Sequence, residues 1–369
     1  MEIVFGGDFF PGRRWENKII ENPNSIWSED VLEFIDAADL RVVNLETPLT
    51  KTGSPIDKIG PNLKCHPNVV KSLKSANINL VSLANNHIYD FGHKGLINTM
   101  DILNDNNINF IGVGNNIQDA KKSVRVADDV VFLNYSQNEW GVATDTSSGF
   151  NGYSIIDIVQ QIKEHKSKNK FVCLILHRGH EHFSYPSPEM VKEYRFFVDN
   201  GADLIISHHS HFYSGYEKYK SGHIFYGLGN MLFDSKTKDP RWYESFLLKI
   251  KIKNKLISKF ELLPINHYYK MGKINSTLKP DQFFKNIKKI NNIISNPKKL
   301  YEKWAEHLNY MEASYAINLS NKSKYRLALV NRFPLLKNLL IPKLKTKLTY
   351  RNFFECEAHS ELIKDLFKK

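Results

Sequence analysis

The stretch Gly201–Asp234 reads GADLIISHHSHFYSGYEKYKSGHIFYGLGNMLFD, and it indicates both the fold and the position of a site. The apolar run from Asp203 to Ser207 predicts a buried strand. Three imidazoles follow within four residues, namely His208, His209 and His211. A rigid strand that ends in His-x-His is a common way to hold a divalent metal ion. We therefore expect other parts of the chain to supply further ligands to this point.

The length and composition are those of a globular protein with one large domain and an additional segment. The chain has 369 residues, of which 42% are hydrophobic and 24% charged. The cysteines fit a reducing compartment better than a disulfide framework or a zinc knuckle, because they are odd in number and far apart: Cys65, Cys173 and Cys356. The N-terminus shows no secretory pattern, and no apolar stretch approaches the roughly 20 residues of a spanning helix. These observations predict a soluble cytoplasmic protein.

The net charge of +12 is unevenly distributed. Residues 271–369 contain 20 Lys and Arg against 8 Asp and Glu, so this segment carries the whole excess. Residues 1–270 contain 31 basic and 31 acidic residues and are formally neutral. The asymmetry predicts a domain over residues 1–270 and a basic, mostly helical segment over residues 271–369.

One pattern recurs along the chain: an apolar strand ends, and a side chain that can bind a metal ion stands at the break. The five breaks carry Asp8, Glu46, Asn86 with His87, His177, and His209 with His211. Strands alternate with helical patterns, which predicts an α/β fold whose sites lie outside the strand ends. Five strand ends that converge on one edge would form one site.

The residues around these breaks carry more specific expectations. The first strand, Glu2–Phe5, is expected to end at Gly6 and Gly7, where two glycines leave backbone room for a ligand. The polar stretch 136–154 is expected to form a surface loop or a lid.

The predicted ligand set mixes oxygen and nitrogen donors. Such a set suits Mn²⁺, Fe²⁺ or Zn²⁺. Six ligands are more than one tetrahedral ion uses, whereas two ions about 3.5–4 Å apart, bridged by a carboxylate, would use them all. We therefore expect two divalent ions as cofactors.

Other polar residues near the strand ends have two readings each. His87 would protonate a leaving group or would only hold its loop. Asp90 would orient His87 or cap the following helix. Arg13 would bind an anionic substrate group or form a surface ion pair. Glu181 would contact substrate or a ligating histidine, or would be a solvated acid, and Asn230 would contact substrate or belong to a turn at Gly227 and Gly229.

Several motifs lie along the chain in order: GGDFFPGR (Gly6–Arg13), NLETPLT (Asn44–Thr50), SLANNHIYDFGHKGL (Ser82–Leu96), LHRGHE (Leu176–Glu181), GADLIISHHSHF (Gly201–Phe212) and IFYGLGNMLFD (Ile224–Asp234). Together they resemble the CapA family, which is associated with poly-γ-glutamate capsule synthesis and belongs to the calcineurin-like metallophosphoesterase superfamily. The resemblance runs from about residue 2 to about residue 264. It implies a four-layer α/β/β/α sandwich with a two-metal centre at the carboxyl ends of the strands, followed here by a helical extension.

The resemblance also implies roles for single residues. Asp8 and His211 would bind one ion, and Glu46 would stand at the bridging position. The second ion would be bound by Asn86, His177 and His209, and His87 matches the catalytic histidine of the superfamily.

The sequence departs from the superfamily pattern in several places. Phe10 replaces the histidine of the usual Asp-x-His, so one ion lacks an imidazole, and the bridging acid is Glu46 rather than an aspartate. Arg178 and His182 stand where aromatic residues are usual. Many relatives also carry an N-terminal membrane anchor, which this sequence does not show.

The basic C-terminal segment has three interpretations. Residues 281–294 and 298–317 predict helices, and residues 327–348 mix apolar and basic residues around Pro334 and Pro342. The segment would be a helical appendage, or a surface for anionic lipid or for a membrane-bound capsule-synthesis partner, which would place the protein at the membrane periphery. Nucleic acid is not expected, because no recognition motif accompanies the charge.

Two functions of different classes remain. The first is a divalent-metal-dependent, phosphoesterase-like hydrolase that acts on an anionic polymer or a phosphoester in capsule or surface-polymer biosynthesis. The alternative is a non-catalytic polymer-binding or assembly component of a poly-γ-glutamate synthesis complex. Phe10 favours the second, and the retained histidines favour the first.

Overall fold

The computed structural model describes residues 1–126 and 129–319, with the side chains of Arg13 and of residues 313–319 outside that description. Its helices are α1 Gly12–Glu21, α2 Glu29–Asp36, α3 Val70–Ser75, α4 Gly92–Asp105, α5 Ile117–Ala120, α6 Ile155–Ser167, α7 Pro188–Asp199, α8 Pro280–Ile294 and α9 Pro297–Leu319. Short 3-10 turns cover Pro23–Ile26, Pro67–Val69, Pro240–Tyr243 and Tyr269–Met271.

The strands alternate with these helices through most of the chain. They are β1 Glu2–Phe10, β2 Leu40–Leu45, β3 Leu80–Ser82, β4 Asn109–Ile111, β5 Val113–Gly114, β6 Val124–Val126, β7 Val130–Ser136, β8 Gly149–Phe150, β9 Phe171–His177, β10 Leu204–His208, β11 Tyr216–Tyr219, β12 Gly222–Phe225, β13 Asn230–Phe233, β14 Glu244–Lys253, β15 Leu256–Asn266 and β16 Asn275–Ser276.

Two large sheets form the framework of the described chain. The first has eight strands in the order β16-β15-β14-β1-β2-β3-β4, and β13 also pairs with β1. In this sheet β1 runs parallel to β2 and β13, and β2 and β4 run parallel to β3. The second has six strands in the order β11-β12-β10-β9-β7-β6, with β7, β9, β10 and β12 parallel. Parallel strands place their carboxyl ends on the same edge of each sheet.

Four layers result from the alternation of apolar side chains along these strands. One core lies between the sheets and reaches α6 and α7; it takes Ile3 and Phe5 from β1 and Phe132 from β7. The other core covers the opposite face of the first sheet, where Val4 of β1 packs with residues of α1 to α4 such as Trp15. The fold is therefore an α/β sandwich, as the sequence predicts. β9 is buried on both faces, which its uninterrupted apolar run also predicts.

The first strand differs from the expectation that it ends at Gly6. β1 continues through both glycines and Asp8 to Phe10, with shifts of register on either side of Asp8. The space beside the glycines is taken by protein rather than left for a ligand. A Cβ on Gly7 would lie 1.8 Å from the carbonyl oxygen of Gly229, and one on Gly6 would lie 2.4 Å from Met231 Sδ. The glycines therefore allow β13 to pair closely with β1.

Local signals place the helices that flank the site. Ser187 accepts a hydrogen bond from the Met190 amide and Pro188 occupies the first turn, so α7 begins where the sequence predicts. Ser154 caps α6 in the same way through the amide of Asp157. The polar stretch before α6 contains the short strand β8, which pairs with β5.

The chain divides into two compact units, Met1–Leu300 and Tyr301–Lys369. α8 belongs to the first unit, where Phe283, Ile287 and Ile290 pack into the core between the sheets. The boundary near residue 270, which rests on charge, remains a prediction. Residues 320–369, including the predicted mixed segment 327–348, lie outside the described residues. Within the described part of the chain, no helix combines the length and apolar character needed to cross a membrane.

Candidate metal centre

The carboxyl edges of the two sheets bring together the side chains that the sequence predicts as ligands. Asp8 lies in β1, Glu46 follows β2, and Asn86 follows β3, all in the first sheet. His177 ends β9, and His209 follows β10 in the second sheet, with His211 two residues further on. All six side chains are buried.

One group of donors forms around His177. Its Nε2 atom lies 3.1 Å from Asn86 Oδ1, 3.1 Å from His209 Nδ1 and 3.6 Å from Glu46 Oε1. Ligands about 2.0–2.2 Å from one ion are separated by about 3.0–3.6 Å in octahedral or tetrahedral geometry. The group of Glu46, His177 and His209, extended by Asn86, therefore has the spacing of a metal site.

A second group shares Glu46 with the first. It consists of Asp8, Glu46 and His211. Asp8 Oδ2 lies 3.7 Å from His211 Nδ1, and Glu46 Oε1 lies 4.0 Å from His211 Nε2. Glu46 thus stands between the two groups, which is the bridging position that the family resemblance implies.

The charges of the site fit a bound cation. Among the described residues, Asp8 Oδ2 and Glu46 Oε1 are buried without a hydrogen-bond partner. Burial, and then the neighbouring carboxylate of Asp8, raise the pKa of Glu46 well above its ordinary value. Burial would also raise the pKa of Asp8, but His208 and His211 lower it below its ordinary value. Two buried acids with unused oxygens are costly unless a positive charge faces them.

The imidazoles are held in the form that binds metal. Burial and the neighbouring histidines lower the pKa of His177 well below its ordinary value, and burial lowers the pKa of His211 to about 4. Burial likewise lowers the pKa of His209. A histidine must be neutral to coordinate a metal ion, so these groups need lose no proton at neutral pH.

The backbone around the histidines adopts a conformation that is uncommon for residues other than glycine. His209 and His211 have φ angles of 81° and 59°, and His182 has a φ angle of 62°. Such left-handed residues cluster at functional sites, where the surrounding structure holds them. The two bends turn His209 and His211 towards different donor groups.

Three amide side chains each contact one ring nitrogen of a candidate ligand histidine. Asn44 Nδ2 lies 3.2 Å from His177 Nδ1 and donates to Asp8 Oδ1 at 2.8 Å. Gln137 Nε2 lies 2.8 Å from His209 Nε2. These contacts restrict the orientation of the two rings, with the amide nitrogens as the donors.

Asn230 is the third of these amides. It is expected from the sequence to contact substrate, but it is fully buried, with Oδ1 3.0 Å from His211 Nδ1 and Nδ2 donating to the Trp242 carbonyl. Its amide is therefore used to orient His211. It also begins β13 rather than lying in a turn.

Aromatic side chains enclose the His211 side of the site. The ring of His211 lies 4.7 Å from that of Phe233 and 4.5 Å from that of Trp242, measured between centroids. Phe10 packs on Phe233 at 4.9 Å. His208 Nδ1 lies 3.1 Å from Asp8 Oδ1, but His208 belongs to neither donor group.

The His87 loop lies beside these groups and is shaped by Asn85. The Asn85 side chain accepts hydrogen bonds from the amides of His87 and Ile88 and donates to the Leu45 carbonyl, which ties the end of β3 to that of β2. Asp90 Oδ2 lies 2.7 Å from His87 Nδ1. Asp90 does not cap α4, whose N-cap residue is Phe91, so the carboxylate is placed to orient the imidazole.

The remaining predicted residues lie further out. Glu181 is exposed to solvent on one side and lies against the protein on the other. The protein side would raise the pKa of its carboxyl, but the imidazoles of His211 and His209 lower that pKa below its ordinary value. Arg178 is held by Glu193 and the Tyr153 hydroxyl and so ties the β9 end to α7 and the loop before α6. Arg13 lies in α1 with its side chain outside the described part, and its anion-binding role remains a prediction.

Sequence reasoning missed Gln137, Asn44 and Lys58. Lys58 Nζ donates to Asp90 Oδ1 and lies 3.3 Å from His87 Nδ1. Asn44 directly precedes the Leu45-Glu46 break, so its position next to a strand end was the available signal. Gln137 directly follows β7, so the same signal was available for it. Lys58 lies in an aperiodic loop, and its contacts depend on tertiary structure alone.

Comparisons with known proteins show which family the chain resembles. Residues 2–235 match the family described as bacterial capsule synthesis protein PGA_cap. The chain is 27% identical to the capsule biosynthesis protein CapA of Bacillus anthracis over 286 residues, which cover 72% of this chain and 67% of that one. It is 28% identical to the PGA biosynthesis protein CapA of Bacillus subtilis (strain 168) over 279 residues, 72% of this chain and 71% of that one. A probable polyglutamine synthesis accessory protein of Mycobacterium tuberculosis is 27% identical over 214 residues, 54% of this chain and 56% of that one.

Proposed function

The chain belongs to the PGA_cap family of bacterial capsule synthesis proteins, and from this premise we propose that it is a divalent-metal-dependent hydrolase of the phosphoesterase type. Its place would be in capsule or surface-polymer biosynthesis. The observation that carries the proposal is the pair of buried donor groups that share Glu46, next to a histidine held by a carboxylate.

The distances between donor atoms divide the proposed ligands into two groups. Glu46, Asn86, His177 and His209 would hold one ion, and Asp8, Glu46 and His211 would hold the other. Mn²⁺, Fe²⁺ and Zn²⁺ suit this set of oxygen and nitrogen donors. When bound, such ions supply Lewis-acid polarisation of a phosphoryl or carbonyl oxygen and a water of lowered pKa.

The residues of the chain would contribute binding, orientation and proton transfer. Asp90 orients His87 through Nδ1, so the protonated ring would give its Nε2 proton to a leaving group and return to the Nδ1–H tautomer. Because the Asp8 carboxylate lies in the cleft, the metal-free cleft would repel an anionic substrate, whereas the loaded cleft would accept it. Arg13 and the exposed Glu181 are proposed as substrate contacts.

The proposed substrate is an anionic polymer or a phosphoester. The three relatives named above are described by capsule, PGA or polyglutamine synthesis. Poly-γ-glutamate, the polymer that the family resemblance implies, is a polyanion. A cleft that combines metal ions with a proton donor would suit cleavage of a phosphoester or of a polymer linkage.

The alternative is a polymer-binding or assembly component of a capsule synthesis complex that uses the same site without turnover. The specific observation in its favour is Phe10, which packs on Phe233 and leaves the Asp8 group with three side-chain donors. A weakly held ion would bind a polyanion without supporting hydrolysis.

A contact with a membrane or with a membrane-bound partner is proposed for the basic face of α8. Its apolar side chains are buried in the core, whereas Lys285, Lys288 and Lys289 are exposed. Lysines that are exposed on adjacent turns of one helix attract an anionic surface through their charge. A cytoplasmic location at the membrane periphery is part of the same proposal.

Metal analysis combined with turnover of bis(p-nitrophenyl) phosphate tests the enzyme proposal. We expect the purified protein to bind one or two equivalents of Mn²⁺ and to hydrolyse the diester, and His87→Ala to lower kcat by about 100-fold. His93→Ala serves as the matched control, because His93 is exposed and bonds Ser148 away from the donor groups. Metal binding with no His87-dependent hydrolysis would favour the binding component instead.

A further inference from the structure

Lys58 is a buried cation in an otherwise largely exposed loop. The loop spans residues 51–64, between the end of β2 and α3, and most of its side chains are exposed. The side chain of Lys58 is only 4% exposed. A lysine that loses its water shell this far needs strong partners.

The partners of Lys58 all belong to the His87 loop. Its ammonium group donates to Asp90 Oδ1 and, at 3.2 Å, to the carbonyl oxygen of Asn86. It also lies 3.3 Å from His87 Nδ1. The side chain thus connects the exposed loop with three of the five residues from Asn86 to Asp90.

Asp90 is the point at which the exposed loop attaches. Besides the Lys58 contact, its Oδ2 atom accepts a hydrogen bond from the Leu63 amide at 2.6 Å, and its carbonyl accepts one from the Ile56 amide at 3.0 Å. The same Oδ2 atom lies 2.7 Å from His87 Nδ1. The two carboxylate oxygens are therefore held by donors on the loop and by the imidazole.

The chemistry of these groups fixes which ring nitrogen carries hydrogen. An ammonium group has only donors, and a carboxylate that faces it acts as an acceptor. His87 Nδ1 is closer to Asp90 Oδ2 than to Lys58, at 2.7 Å against 3.3 Å, so Nδ1 donates to the carboxylate. The ring then presents Nε2 as its free nitrogen.

From this geometry we infer that Lys58 is a positioning residue, which holds the Asp90 carboxylate and thereby the orientation and tautomer of His87. The inference rests on the proposed function for its catalytic consequence, but the placement of His87 is measurable without turnover. The loop 51–64 is coupled to the site through this one side chain and two main-chain amides.

Nuclear magnetic resonance of ¹⁵N-labelled histidine rings tests the placement directly. The His87 signals are identified by their loss in His87→Ala. We expect the wild type to show a single tautomer protonated at Nδ1, and Lys58→Met to show averaging between tautomers with the other histidine signals unchanged. Lys51→Met is the matched control, since Lys51 lies in the same loop and is exposed, and it should leave the His87 signals in place. An unchanged His87 tautomer in Lys58→Met would overturn the inference.

Steady-state kinetics then test the consequence. Lys58→Met should lower kcat for the phosphodiester 10- to 100-fold, with KM and Mn²⁺ affinity within about twofold of the wild type. Lys58→Arg, which retains the charge, should recover part of the lost kcat. In a His87→Ala background, Lys58→Met should lower kcat no further. A loss of Mn²⁺ affinity with unchanged kcat would contradict the inference.

Two further comparisons keep the outcomes separate. If Lys58→Met does not fold, Lys58→Gln provides a milder comparison, because its amide fills space and removes only the charge; a smaller shift of the His87 tautomer in the same direction is then expected. If the wild type does not hydrolyse the diester, the proposed function fails, while the tautomer measurement still decides the role of Lys58.

Cleavage of loop 51–64 by thermolysin should be faster in Lys58→Met than in Lys51→Met. Equal cleavage rates would show that Lys58 does not hold the loop.

Discussion

Replacement of Glu46 by glutamine should stabilise the metal-free protein while abolishing its stabilisation by metal. Glu46 Oε1 and Asp8 Oδ2 are buried without hydrogen-bond partners among the described residues, and both atoms belong to one donor group. A buried, unsatisfied acceptor costs about 1–3 kcal/mol. The amide of Glu46→Gln removes one acid and is able to donate to Asp8, so we expect a gain of that size.

The corresponding change in melting temperature follows from the size of the unit. About 2.1 cal/mol/K of unfolding entropy per residue gives about 0.6 kcal/mol/K for the unit that ends at Leu300. A gain of about 1–3 kcal/mol therefore raises Tm by about 2–5 °C. Metal reverses the order of stability of the two proteins. Mn²⁺ at 1,000 times its Kd adds about 4.1 kcal/mol to the free energy of unfolding of the wild type and nothing to that of Glu46→Gln.

Thermal melts followed by circular dichroism, in EDTA and in excess MnCl2, measure both effects. Glu46→Gln should melt above the wild type in EDTA and below it in MnCl2. Glu33→Gln is the matched control: Glu33 is exposed in α2 and belongs to neither donor group, so its substitution should change Tm by less than 1 °C in either buffer, following the small effects of surface substitutions. The reasoning would be refuted if Glu46→Gln melted below the wild type in EDTA. It would also be refuted if MnCl2 raised the Tm of Glu46→Gln as much as it raised that of the wild type.

Three other substitutions test separate parts of the structure. Gly7→Ala should lower the free energy of unfolding in urea by about 3 kcal/mol or more, since its Cβ would lie 1.8 Å from the Gly229 carbonyl oxygen. Burial lowers the pKa of His267 from 6.5 to about 3, so the unfolded chain binds a proton there that the native protein does not. Stability should fall by about 1.4 kcal/mol per pH unit between those values as pH decreases, and His267→Asn should remove that part of the slope in acid-titration melts. Gln137→Ala should weaken Mn²⁺ binding about tenfold in calorimetry, because the ring of His209 loses the contact at Nε2.

Local patterns in the sequence account for several elements of the fold. β9 carries a continuous apolar run, α7 carries a serine cap with proline in its first turn, and β14 and β15 flank a turn at Asn254 and Lys255, which have positive φ angles. In each case the signal lies within the element itself.

The predicted end of β1 at Gly6 was wrong, because the segment that pairs with the rest of the strand is distant in sequence. Two glycines in succession usually end a strand, but here they admit β13, which lies more than 200 residues away along the chain. The close approach of Gly229 to Gly7 cannot be inferred from either segment alone.

The site shows the same division between local and tertiary information. Six candidate ligands were predicted from their position at apparent strand ends, although Asp8 lies inside β1, whereas Lys58 reaches the site from an irregular loop. Whether Asp90 capped a helix or oriented His87 was open in the sequence. Its contacts with Lys58 and with the Leu63 amide place the carboxylate against the imidazole.

The central claim is that the donor groups sharing Glu46 hold divalent metal. Crystals grown with MnCl2 and measured at a wavelength where manganese scatters anomalously provide the most direct test. We predict an anomalous peak about 2.0–2.3 Å from Glu46, His177 and His209, with a second, weaker peak between Asp8 and His211. The absence of any peak beside Glu46 at saturating Mn²⁺ would contradict the account.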